Sequence, residues 1–182
     1  MLYIVTALKP EAQAFIDKFR LKKESLKSYK IFTNENIVLI ISGLGVRNAM
    51  FATQTLINSF DISDNDIYLN IGICGASKKY EIGELLNIST IEYQKQTYHL
   101  KNIQFKTITC LDNEASSAKY NIVDMESFGF YEAVIHSPAI KNCYIFKVVS
   151  DHFEPHKVTK DKTKSLIFNV IDDINLLLFK QD

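Results

Sequence analysis

The sequence predicts an α/β fold: a single domain in three layers, with a central mixed, largely parallel sheet flanked by helices. Three observations carry this reading. Short, β-branched apolar runs alternate with segments whose apolar residues recur at three- and four-residue spacing. Neighbouring parallel strands need long crossover connections, which the intervening helical segments provide. No internal repeat and no low-complexity linker divides the 182 residues.

Residues 2–7 are a short apolar run that suits a buried strand, and Pro10 then fits the first turn of a helix. Ala12, Phe15, Ile16 and Phe19 give that helix an apolar face, so Glu11 falls at the junction of strand and helix. Residues 29–33 and 37–41 flank Asn34-Glu35-Asn36 and predict a hairpin. Ser42-Gly43-Leu44-Gly45 follows, and residues 46–58 read as a helix with Ala49, Ala52, Leu56 and Ile57 inward. Residues 67–71 form a strand expected to empty into a glycine loop, Gly72-Ile73-Cys74-Gly75. A strand interrupted by Gly83 is expected over 80–88, with short strands at 105–109 and 122–123. A helix over 126–135, a strand over 143–149 and a long apolar-faced helix over 163–179 complete the chain.

Composition narrows the function. Hydrophobic residues are 47% and charged residues 23%, which suits a compact globular chain; at this length roughly 70% of the unfolded surface can be buried. Lys plus Arg and Asp plus Glu both total 21, so no overall positive field draws in nucleic acid. The run 18–30 holds six basic residues but reads as a solvated helix end and loop. Cys74, Cys110 and Cys143 lack the close pairing of zinc or redox motifs and suit reduced thiols in a cytoplasmic protein. The apolar run before Lys9 is too short for a signal peptide, and no stretch approaches the ~20 apolar residues of a membrane span.

In open α/β sheets, ligands gather at the carboxyl ends of strands. Glu11, Gly43 to Gly45, Gly72 to Gly75, Met125-Glu126 and Ser150-Asp151 all fall at such ends. Taken singly each has a plain structural use: Glu11 and Glu126 as first-turn carboxylates on a helix dipole, Ser150-Asp151 as a turn pair, Cys74 as a small side chain in a turn. Gly43-Leu44-Gly45 lacks the third glycine of a dinucleotide fingerprint, because Asn48 stands there, so no nicotinamide cofactor is expected. His152 and His156 are four apart, but Pro155 disrupts the helix that would align them, and no metal site is expected.

Together and in order, these segments resemble the nucleoside phosphorylase superfamily, most closely its 5'-methylthioadenosine/S-adenosylhomocysteine nucleosidases. The likeness rests on Ala7-Leu8-Lys9-Pro10-Glu11, Ser42-Gly43-Leu44-Gly45-Val46-Arg47-Asn48-Ala49, Asn70-Ile71-Gly72-Ile73-Cys74-Gly75, Ile82-Gly83-Glu84-Leu85, Val123-Asp124-Met125-Glu126 and Val148-Val149-Ser150-Asp151. The resemblance implies a purine nucleosidase of nucleoside catabolism and methionine salvage, a small-molecule nucleoside as substrate, no cofactor, and a homodimer. It implies that Asp151 protonates purine N7, that Glu11 orients or deprotonates the attacking water, and that Leu44, Cys74, Gly75, Met125, Glu126 and Ser150 bind the substrate, Glu126 through the ribose hydroxyls. Phosphorylases of the superfamily carry arginines where this chain has Leu69, Asn70 and the Lys9-Pro10 pair, so hydrolysis is favoured, with Lys9 or Arg47 left to supply one positive charge. The chain departs from the pattern between residues 88 and 122, where it is shorter, at Lys147, where the nucleosidases usually have arginine, and at Ile73, which replaces a small polar residue. Tyr93, Tyr98, Phe105 and Tyr120 are candidate base stackers. A phosphorylase, and a nucleoside-binding protein without turnover, are the alternatives.

Overall fold

Leu2–Thr6 (β1) is buried at every position and runs into the helix Lys9–Phe19 (α1). That helix carries Pro10 in its first turn and closes at Arg20, which adopts a left-handed φ of 52°. Lys22–Leu26 (β2), Tyr29–Thr33 (β3) and Ile37–Ile41 (β4) form an antiparallel meander. Val46–Ile57 (α2) leads to Ile67–Ala76 (β5), then Leu85–Tyr93 (β6), Gln96–His99 (β7), Lys106–Cys110 (β8) and Ile122–Asp124 (β9). Ser127–Ile135 (α3), Asn142–Asp151 (β10), a short 3-10 turn at Pro155–Lys157 and Lys160–Phe179 (α4) follow. The computed structural model describes residues 1–100, 105–115 and 119–179.

The α/β class holds, but the expectation of a largely parallel sheet is corrected. Parallel pairings (β1 with β4 and β5, β10 with β5, β8 with β6 and β9) are matched in number by antiparallel ones (β2 with β3, β3 with β4, β5 with β9, β6 with β7 and β10). The sheet also closes on itself: β5 pairs β10, β10 pairs β6, β6 pairs β8, β8 pairs β9, and β9 returns to β5. The physical reason is the length of β5. Its first half lies against β1 and its end, at Gly75 and Ala76, against Val123 and Ile122 of β9, so twist accumulated along ten residues lets one strand serve both an open wing and a closed ring.

Helices still cover both faces of the wing. One apolar cluster joins Ala12 and Phe15 of α1 and Ile167, Ile171 and Ile174 of α4 to Ile4, Leu69 and Phe146. The other joins Ala52 and Leu56 of α2 and Phe130 of α3 to Val5, Tyr68 and Ile145. The α2–α3 contact is tight at Gly129, where an added Cβ would lie 2.0 Å from the Val46 carbonyl oxygen.

Three local expectations are corrected. Gly72 to Gly75 belong to β5 itself rather than to a loop, and Gly83 lies in the turn before β6, with φ 93°. The run 18–30 holds a strand, β2, whose Lys22, Lys23, Glu24 and Ser25 are all exposed.

Candidate active site

A cavity of about 330 Å³ opens where β1, β5, β9 and β10 end, close to the lower size of small-molecule sites (about 300 Å³). Glu11, Glu126 and Asp151 line it together with Leu44, Cys74, Gly75, Met125 and Ser150, so the catalytic and substrate-binding candidates that the resemblance implied share one cavity. Each of the three carboxylates is held by local backbone geometry.

Glu11 is the third residue of α1 and 2% exposed. Its Oε2 accepts the N–H groups of Ala7 (3.0 Å) and Leu8 (2.8 Å), the returning half of a capping box, and Oε1 accepts the Ile73 N–H (2.9 Å). The helix-capping use and the cavity-lining position therefore coexist in one side chain. Burial pushes this carboxyl up, and the three N–H donors and the Lys147 charge oppose that shift. Gly72 exists to admit it: a Cβ there would stand 2.8 Å from Glu11 Oε1.

Glu126 is the residue before α3, and its Oε1 accepts the Gly45 N–H at 2.9 Å, tying the Gly43 to Gly45 turn to β9. Burial first, then the neighbouring Asp124 carboxylate, push Glu126 up to about 7, with Lys147 opposing. Asp151 closes β10. Its Oδ1 accepts the Glu154 N–H (2.8 Å) and its Oδ2 lies 2.7 Å from Ser150 Oγ, which is also 3.1 Å from the Cys74 carbonyl oxygen. The turn that returns Glu154 to Asp151 requires Phe153, a bulky residue, to adopt φ 62°, a strained conformation that the burial of its ring offsets.

The sequence reasoning missed the ion pair beneath these groups. Lys147 Nζ lies 2.8 Å from Asp124 Oδ2, and both side chains are 1% exposed. The signal was a lone lysine inside the apolar run 143–149, since a buried charge demands a partner. Every side chain lining the described cavity is neutral or acidic. Lys9 Nζ sits over the Phe32 ring at 4.2 Å, and Arg47 borders the adjoining groove with Phe51 and Asp112. Cys74 is a buried thiol that burial pushes up, which makes it a poor nucleophile. His152 Nδ1 lies 2.9 Å from the Ala76 carbonyl oxygen, and no cluster of metal-ligating side chains is found among the described residues.

None of the four candidate base stackers lines the cavity. Tyr93 stacks on Phe128 with centroids 4.2 Å apart, and Tyr98 packs on Phe128 and Tyr131. Phe105 is exposed, and Tyr120 borders a separate groove with Asp112 and Lys119. The stretch between residues 88 and 122 that departs from the pattern includes 101–104 and 116–118, which lie outside the described residues.

Comparison with protein-family models and with curated proteins returns no match. Solved structures do match. A Helicobacter pylori 5'-methylthioadenosine/S-adenosylhomocysteine nucleosidase variant holding 5'-methylthioadenosine is similar, with TM-score 0.72 and 13% identity over 94% of this chain and 98% of that one. Arabidopsis thaliana 5'-methylthioadenosine nucleosidase gives TM-score 0.75 at 16% identity over 100% and 96%. The futalosine hydrolase of Helicobacter pylori gives 0.73 at 13% over 94% and 97%. The chain has the fold of these nucleosidases along nearly its whole length.

Proposed function

We propose that the protein hydrolyses the N-glycosidic bond of a purine nucleoside, of the class represented by 5'-methylthioadenosine and S-adenosylhomocysteine. The observation that carries this reading is the convergence of Glu11, Glu126 and Asp151 on one cavity at the strand ends. The shared fold, with neighbours that are nucleosidases, supports it.

Breaking a C–N glycosidic bond leaves positive charge on the ribose ring and negative charge on the departing base. In this reading Asp151 donates a proton to N7, so the base leaves neutral, and Glu154 N–H and Ser150 hold the carboxyl in place. Glu126 engages the ribose hydroxyls and faces the cationic ring, an interaction stronger in the transition state than with bound substrate. Met125 packs beneath the sugar. Glu11, lifted by burial, is a stronger base when ionised; it takes a proton from water as the water oxygen bonds to C1', and free base and ribose product leave. The division of labour between carboxyls parallels that of O-glycosidases. The neutral and acidic lining favours water over phosphate, whose binding needs cationic donors.

Purified protein incubated with methylthioadenosine, adenosylhomocysteine, inosine and adenosine, with and without phosphate, should release free base without phosphate. No release at enzyme-stoichiometric concentration overturns the proposal, and release only with phosphate makes the protein a phosphorylase. Asp151→Asn should lower kcat about 10²- to 10⁴-fold, the range of a lost general acid. A homodimer in the cytoplasm accompanies this reading, tested by sedimentation and by cell fractionation; no helix among the described residues is long and apolar enough to cross a membrane.

A further inference from the structure

One buried cation serves three carboxylates here. Lys147 stands level with Gly72 on the adjacent parallel strand, so both face the same side of the sheet. The space left by the missing Gly72 side chain is filled by the Glu11 carboxylate, which places Glu11 beside Lys147. On its other flank the Lys147 ammonium meets Asp124 Oδ2 at 2.8 Å. The same Asp124 carboxylate accepts the Ser127 N–H (2.8 Å), the Ser127 hydroxyl (2.7 Å) and the Glu126 N–H (3.3 Å). The pair therefore joins β10 to the first turn of α3, where Glu126 begins.

Fold stability does not explain such a pair. Burying both charges costs several kcal/mol each before their attraction returns any of it, and apolar side chains of similar volume commonly do as well or better. What an apolar pair cannot supply is a positive charge that acts on both Glu11 and Glu126. We propose that Lys147 is a positioning residue: through Asp124 it fixes the start of α3 so that Glu126 faces the cavity, and its charge lets Glu11 and Glu126 stand together as anions. The proposal rests on the reading of Glu126 as the sugar-binding carboxylate.

The groups facing Glu126 are Glu11 from α1, Asp124 from β9 and Lys147 from β10, with the Gly45 N–H ahead of α2. Asp151 lies further along β10, and the Cys74 and Cys110 thiols, both pushed up by burial, stay neutral. Asp124 and Lys147 therefore act on Glu126 in opposite directions, which gives two variants with opposite signatures.

The test is a carbon-13 NMR titration of glutamate side-chain carboxyls in the full chain, with the Glu126 signal assigned by its loss in Glu126→Gln. Wild type should titrate at about 7. Lys147→Met should raise the midpoint by about one unit or more, Asp124→Asn should lower it by a similar amount, and Lys147→Arg should keep it within about half a unit. The acid limb of the kcat/KM profile should move with each midpoint. An unchanged midpoint in Lys147→Met or Asp124→Asn overturns the proposal; if Lys147→Met does not fold, Asp124→Asn and Lys147→Arg decide it. Midpoints that move as expected in a protein that releases no base would sustain the role of Lys147 and remove the nucleosidase reading.

Discussion

Replacing Glu126 by Gln should stabilise the protein at alkaline pH while abolishing the proposed release of base. Folding moves this carboxyl from its ordinary 4.5 to about 7, because burial and Asp124 disfavour its ionised form. A group that binds its proton more tightly in the native state contributes stability that is complete below 4.5 and is lost as the pH rises through about 7. The loss is the shift multiplied by about 1.4 kcal/mol per unit, or about 3 kcal/mol once ionisation is complete. Glutamine mimics the protonated form and keeps a carbonyl oxygen for the Gly45 N–H, so it escapes the loss. Urea unfolding at pH 4.5 and pH 8 provides the comparison, because titrations common to both proteins cancel in the difference. The two proteins should agree within about 1 kcal/mol in acid, and the variant should be about 3 kcal/mol more stable at pH 8. In a domain of this size that is a melting point higher by roughly 6–12 °C. A difference that is the same at both pH values, or a variant less stable at pH 8, would refute the reasoning.

Gly72→Ala should push the Glu11 carboxylate from its place, costing about 1–3 kcal/mol of stability and about 100-fold in kcat/KM, read by thermal melts and base release. Gly129→Ala puts a methyl against the Val46 backbone, which cannot step aside as a side chain can. A loss of about 3 kcal/mol in urea unfolding is expected, and a loss under 1 kcal/mol would mean that α2 and α3 separate easily. Cys74 and Cys110, buried with their thiols pushed up, should resist alkylation by iodoacetamide at neutral pH in the native protein and react in urea, as mass spectrometry of the peptides would show.

The sequence made legible what depends on neighbours along the chain. Pro10 with its apolar spacing marked α1, and the two β-prone runs around Asn34-Glu35-Asn36 marked the β3–β4 hairpin. Strand-end logic brought Glu11, Glu126 and Asp151 to one edge, where the cavity is found. What escaped depends on distant contacts. Strand β2 carries Lys22, Lys23, Glu24 and Ser25 in succession and is exposed on both faces, so no alternation announces it. Gly72 and Gly75 suggested a loop because glycine often marks one; here they continue a strand, with the Glu11 carboxylate in the space a Gly72 side chain would fill and Val123 3.2 Å from where a Gly75 Cβ would stand. The ring closure of the sheet and the Lys147–Asp124 pair join segments that share no local pattern.

Strand β2 also answers a hazard that the open wing creates. A free strand edge is a template on which another chain can pair, and β2 is where the wing ends. Any chain docking there would meet Lys22 and Lys23 beside Glu24 and would have to strip water from them. The basic run that suggested no chemistry thus works as a guard against aggregation, at the rim of the sheet farthest from the ring that builds the cavity.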